Sequence, residues 1–198
     1  LVAASNRTRL QSIVLNTAVL DVADGASHLI QAHQVSIGPK AKVGDGLPQA
    51  SQVDAASKRA GQGQLGGSGA LEVQAGLIEL VGDTAVLGID RLDLHATLSP
   101  TAAASLGRTN GEIRFVGQSS SSSAALKGQL SFTGELNLVA GQVYATTLTD
   151  FSVKGFDAQG TAPGGKLTIS APGAGSTSQT PQNALGALES LNSEGAAV

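Results

Sequence analysis

The chain has 198 residues, with 12 basic and 15 acidic side chains for a net charge of −3, 26 glycines and 3% aromatics. That balance excludes the basic footprint of a nucleic-acid binder. The absence of Cys excludes a disulfide framework and a thiolate metal site while leaving the redox compartment open, and no run approaches the ~18 apolar residues of a membrane helix.

With four Phe, one Tyr and neither Met nor Trp, the interior has to be built from Leu, Val, Ile and Ala. Such a palette suits a narrow stack of aliphatics better than the aromatic-rich core of a compact enzyme. The opening "LVAASNRTRL" has no Met and no signal-peptide h-region, so the chain reads as a fragment of a longer protein or a processed product.

Residues 1–38 read as strands, with "LNTAVLDVADGASHLIQAHQVSI" at 15–37. Asp21 and Asp24 precede Gly25 in a stretch that predicts an Asx-type turn. It is not read as a calcium loop, because the Gly-Gly-x-Gly-x-Asp nonapeptide is missing. Residues 39–69 are rich in Gly, Gln and Ala with scattered charge, and predict an irregular excursion with a short helical turn over 52–60.

From 70 to 171 a five-residue unit recurs: "LEVQA" (71–75), "LDLHA" (92–96), "IRFVG" (113–117), "LSFTG" (130–134), "LNLVA" (136–140), "FSVKG" (151–155) and "LTISA" (167–171). Apolar residues at positions one and three, with a small residue at five, predict half-buried strands that each end at a corner. Units start at 71, 92 and 113, a step of 21, and the same step separates 130 from 151. That spacing predicts a coil of about 20 residues repeated along a solenoid. The fold class it implies is all-β, a right-handed parallel β-helix with irregular loop excursions, in preference to an antiparallel sandwich. "SSSSS" at 119–123 reads as a loop tip, and 172–198 as a flexible Gly/Ser-rich tail in which Gly186 weakens a short amphipathic turn over 183–191.

The only tyrosine, Tyr144, falls in "LNLVAGQVY", which has the cadence of "LEVQAGLIEL". Aligning the two puts Tyr144 near the place of Glu79, on a second strand after an Ala-Gly corner. The Thr-rich "ATTLTDF" that follows predicts a further strand on a solvated face.

The stretch "GALEVQAGLIELVGDTAVLGIDRLDLHAT" (69–97), together with "GELNLVAGQVYATTLTDFSVKG" (134–155), resembles the β-helical region of the filamentous haemagglutinin family. These are the large exoproteins of two-partner secretion systems, and the resemblance covers roughly 15–171. It implies a shaft segment of a secreted filamentous adhesin displayed on the Gram-negative cell surface. The implied partners are neighbouring coils of a longer parent chain, the outer-membrane transporter during export, and a host or bacterial surface glycan or protein. Nucleic acid and membrane spanning are not implied. A stalk of a contact-dependent growth inhibition toxin and a self-assembling module are related alternatives.

The enzymatic alternative is a β-helical carbohydrate-active enzyme of the polysaccharide-lyase kind. Under the 21-residue step, Glu72, Asp93 and Arg114 share one outward column, an arrangement that resembles carboxylates holding calcium beside a basic group. The column then continues through Ser131, Ser152 and Thr168, so a solvated face with Arg114 relieving Glu72 and Asp93 is the expected reading. His28 and His33 are an odd number of residues apart and face opposite ways on one strand. These two and His95 are expected to be solvent-exposed. No phosphate-loop, dinucleotide, nucleophile-elbow or zinc-helix motif occurs. The expectation is therefore no enzyme, with no catalytic residue, cofactor or metal.

Overall fold

A computed structural model describes residues 10–39, 64–98, 111–119 and 126–172. The turn expected over 52–60, most of the serine run at 119–123 and the turn expected over 183–191 lie outside the described residues. Among the described residues the secondary structure is all β. The strands are β1 (Leu10–Leu15), β2 (Val19–Asp21), β3 (Ser27–Ile37), β4 (Gly69–Ala75), β5 (Leu77–Val81), β6 (Asp83–Leu87) and β7 (Ile89–Ala96). They continue with β8 (Glu112–Val116), β9 (Gln118–Ser119), β10 (Leu126–Thr133), β11 (Glu135–Val139), β12 (Gln142–Ala145), β13 (Thr149–Phe156) and β14 (Lys166–Ser170).

The strands pair in parallel, except that β9 runs antiparallel to β10. A sandwich of hairpins is therefore ruled out, since parallel neighbours need crossover connections. The pairings fall on three faces. The first is β1, the second half of β3, β5, β8 and β12; the second is β2, β6, β10 and β13; the third is the first half of β3, β4, β7, β11 and β14. On each face the order follows the chain. Because β3 serves two faces, pairing β4 with Ser27–Gln31 and β5 with Gln34–Ile37, the first and third faces form one nine-stranded sheet that curls around the core.

Alternation decides which side chains enter that core. In β4, Leu71, Val73 and Ala75 are buried while Glu72 and Gln74 are only partly covered, and β7 repeats this with Leu92, Leu94 and Ala96. Stacking turns each inward position into a column. One runs Val35, Ile78, Ile113, Val143 on the first face, and another Ile30, Val73, Leu94, Leu138, Ile169 on the third. The few aromatics close the interior between faces: the Phe115 and Phe151 rings lie 4.8 Å apart, tilted by 40°. A single apolar cluster draws on all three faces.

The 21-residue step holds in one place only. Leu71 pairs with Leu92, and Glu72 with Asp93. The unit at 113–117 belongs to the first face, where Ile113 pairs with Ile78 and Val143. The units at 130–134 and 151–155 belong to the second face. True neighbours on the third face are 43 residues apart at Gln31 and Gln74, 44 at Asp93 and Asn137, and 31 at Glu135 and Lys166. The step from 92 to 113 joined units on different faces, because alternation looks the same on all of them, and the step from 130 to 151 joined two strands of one face out of register, since Phe151 pairs with Gly128. Leu94 is accordingly flanked by Val73 and Leu138, not by Phe115.

The corners explain most of the small residues. Gly134 joins β10 to β11 with φ of 71°, a conformation that penalises any side chain. A Cβ there would also overlap the carbonyl of Asp90 on the adjacent level. Gly155, by contrast, lies inside β13.

Candidate functional site

Two outward faces carry the polar side chains that sequence analysis singled out. On the third face, Glu72 and Asp93 stand on neighbouring strands, and each is already engaged. Gln74 Nε2 donates to Glu72 Oε1 at 2.5 Å and Gln31 Nε2 donates to Gln74 Oε1 at 2.6 Å. His95 Nδ1 lies 3.6 Å from Glu72 Oε1. Arg91 Nε pairs with Asp93 Oδ2 at 2.9 Å, and Asn137 Nδ2 donates to Asp93 Oδ1 at 2.8 Å. The column through Glu72 and Asp93 continues as Asn137 and Thr168, with Leu29 before it. Ser131 and Ser152 are on the second face.

Arg114, expected beside Glu72 and Asp93, belongs to the first face. There the outward column reads Ser36, Glu79, Arg114, Tyr144. Tyr144 thus occupies the column of Glu79, two levels away, with Arg114 between. The three side chains and Glu112 form a closed network. Arg114 Nη2 and Nε donate to Glu112 Oε2 at 2.8 and 3.2 Å, and Nε also donates to the Tyr144 hydroxyl at 2.6 Å. The Tyr144 hydroxyl donates in turn to Glu112 Oε2 at 2.9 Å. Arg114 Nη1 reaches Glu79 Oε1 at 4.0 Å, and Gln34 Nε2 donates to Glu79 Oε2 at 3.1 Å. The guanidinium carbon sits 5.7 Å from the Tyr144 ring centre.

Glu112 is the buried member, its side chain 8% exposed against 35% for Arg114. Charge-assisted hydrogen bonds of this kind offset the desolvation of a buried carboxylate. The Tyr144 proton is committed to Glu112, and the Glu112 oxygen that accepts it also accepts from Arg114. The geometry therefore ties four consecutive levels together across Gln34, Glu79, Arg114 and Tyr144.

Sequence reasoning missed this network, although a signal was present. Gly76, Gly111 and Gly141 each stand directly before a first-face strand. The segments "GLIEL", "GEIRF" and "GQVYA" align Glu79, Arg114 and Tyr144 without gaps.

The other singled-out residues do not converge. His28 and His33 are both exposed on β3, and His95 is half-buried beside Glu72. Gly25 takes the left-handed conformation, with φ of 71°, in a turn closed by Ala26 N to Ala23 O. The Asp24 carboxylate does not fold back on that turn. It accepts from Ser68 N at 3.2 Å, while Gly25 N donates to Ser68 Oγ at 2.9 Å. At the far end, Asp157 accepts from Thr161 N and Thr161 Oγ1 at 2.8 and 3.2 Å. The Thr161 amide, aided by the backbone of Ala162 and Gly160, holds this carboxyl below the usual 3.8. Among the described residues no three His, Asp or Glu side chains are grouped to hold a metal ion, and no helix is long and apolar enough to cross a membrane.

Comparison with known proteins found no matching family model, no matching curated protein and no matching solved structure.

Proposed function

We propose that the chain winds as a right-handed parallel β-helix and acts as a shaft segment of a secreted, surface-displayed adhesin of the filamentous haemagglutinin kind. The observation that carries this reading is the order of the parallel strands. On every face the levels rise with the chain, which is how a solenoid is laid down. Two further features support it. Apolar columns run through all the levels, so the interior is a filled shaft, and the outward polar groups are paired with one another across levels.

In this reading length and stiffness are the working properties, and adhesion uses the outward faces toward a surface glycan or protein. The half-exposed ring of Tyr144 is the most suitable glycan contact on the first face, because an aromatic ring face suits a sugar ring. The test is surface display and binding in the Gram-negative cell that encodes the chain. Antibody should label the parent protein on intact cells, deleting its transporter should abolish the label, and the purified chain should bind cells or glycans without altering them. Label confined to the cytoplasm would overturn the secretion reading, and cleavage of a polyuronate by the chain would favour a lyase.

A further inference from the structure

The chain enters β4 by crossing the levels instead of following one. Residues 65–69 lie against three of the four connections that lead from the second face to the third. At the β2–β3 connection, Ser68 N donates to Asp24 Oδ1 at 3.2 Å and Gly25 N donates to Ser68 Oγ at 2.9 Å. At the β6–β7 connection, Gly88 N donates to Leu65 O at 2.9 Å and Gly69 N donates to Gly88 O at 3.0 Å. At the β13–β14 connection, Leu65 N and Gly66 N both donate to Ala158 O, at 2.7 and 2.9 Å.

The first two sets of contacts follow from the place of β4 between β3 and β7. The third does not. On the third face β11 stands between β7 and β14, so Leu65 and Gly66 reach past one level to meet the loop after β13.

The fit along this segment is close. A Cβ on Gly66 would lie 2.9 Å from Ala158 Cα, and one on Gly67 would lie 2.6 Å from the Gly88 carbonyl oxygen. The Leu65 side chain packs over Gly160. The loop that presents Ala158 is braced from within, because Gly160 N donates to Asp157 O and Thr161 N donates to the Asp157 carboxylate. Both ends of the segment therefore depend on a carboxylate at a corner, Asp24 directly and Asp157 through its loop.

We propose that residues 65–69 act as a clasp, closing as one element and tying the last level of the stack to the first. Three of the five residues are glycine, which loses more chain entropy on ordering than any other residue. Such a segment is held only while its hydrogen bonds act together, so release at one end frees the other. In a stack of strands each level otherwise leans only on its neighbours, and an end level can fray alone. With the clasp closed, freeing the 157–161 loop also loosens the hold on Asp24 and Gly25. The clasp closes only once β13 and the loop after it are in place, so the arrival of the last level is felt at the first.

Native-state hydrogen exchange of the 198-residue chain tests this, with each amide's protection taken relative to its intrinsic rate. In the parent chain the amides of Leu65, Gly66, Ser68 and Gly69 should be protected, and to a similar degree, since they open together. Asp24→Ala breaks the clasp at the first level and Asp157→Ala at the last. Neither carboxylate belongs to the apolar core, so β7 and β11 should keep their protection. Asp24→Ala should lower protection at Leu65 and Gly66 by about 2–10-fold, the worth of one hydrogen bond. Asp157→Ala should do the same at Gly25 and Ser68, at the opposite end.

Circular dichroism checks that the variants keep their β spectrum, and Ser68→Ala and Leu65→Ala replace any that do not. Three outcomes overturn the proposal: a parent chain whose Leu65, Gly66 and Ser68 amides are unprotected, variants that each lower protection only at their own end, or variants that change protection at neither end.

Discussion

Ile78 and Ile113 in the middle of the first face are fully buried, whereas Ile13 and Val143, at the two ends of the same column, are half-exposed. The residue types are alike, the strand alternation is the same, and the inward direction is the same. Only the number of flanking levels differs. Burial in this protein is thus conferred by the next level on either side, so the worth of an apolar residue depends on its place in the stack more than on its own strand. On the third face the same contrast separates Leu94, between Val73 and Leu138, from Ile169 on the terminal strand.

The largest effect is expected where that contrast is sharpest. Leu94→Asp removes a side chain of zero exposure, at about 2–5 kcal/mol, and adds an unpaired carboxylate to an aliphatic interior. Chemical denaturation should show most or all of the stability lost, with hydrogen exchange rising first in β4, β7 and β11. Ile169→Asp should cost about half as much or less, because water already reaches that level. His95→Asp, on the outward side of the same strand, should stay near 0.5 kcal/mol, and that much only because it brings a second carboxylate beside Glu72. Equal costs for all three would contradict the picture of one core stacked by levels.

A smaller effect is expected at the polar network on the first face. Arg114→Ala leaves Glu112 buried with Tyr144 still bound but the guanidinium gone, and should cost about 1–3 kcal/mol, moderated by the partial exposure of the arginine. Adding Glu112→Gln should recover part of that loss in a double-mutant cycle. The corresponding removal on the third face, Glu72→Ala, should change stability by less than about 0.5 kcal/mol, since its partners stay hydrated.

How legible all this was in the sequence follows from the same geometry. Alternation and small corner residues were readable because inward and outward positions differ chemically in every strand. The pairing of 71–75 with 92–96 and the shared column of Tyr144 and Glu79 were readable because no long insertion separates the strands within either stretch compared. The face to which a strand belongs was not readable from alternation, since Leu92, Ile113 and Leu130 look alike yet stand on three different faces. Loops between faces vary in length, so equal spacing does not mean equal place. The leading glycines Gly76, Gly111 and Gly141 carry the missing information for the first face. At Gly111 a Cβ would lie 2.5 Å from the Gly76 carbonyl oxygen of the adjacent level, so the corner itself demands the residue.

Two weaker effects separate the corners from the strands they join. Leu148 holds φ of 62° and is 69% exposed, a left-handed conformation that costs a leucine about 1–2 kcal/mol. Leu148→Gly should therefore raise the stability measured by chemical denaturation slightly, by up to about 1 kcal/mol after the added chain entropy of glycine, whereas glycine within β13 should lower it.

The smallest effect is at Asp157. Its carboxyl is depressed by the Thr161 amide below 3.8, so its contribution is fully present above that ordinary value and is lost as pH falls through the lower folded value. The protection of the Thr161 amide, taken relative to its intrinsic exchange rate, should fall on acidification in that window, while protection in β10 and β11 stays unchanged over the same small step. Asp157→Asn should abolish the local pH response.

The order of levels on the third face is tested most directly by disulfide trapping, for which a chain without cysteine is well suited. Parallel neighbours stand about 4.8 Å apart, within the span a disulfide bridges. The pair Asp93→Cys with Asn137→Cys should cross-link rapidly under mild oxidation, while Asp93→Cys with Arg114→Cys, one 21-residue step apart, should not. Efficient cross-linking of 93 to 114, with none between 93 and 137, would contradict the register on which the account is built.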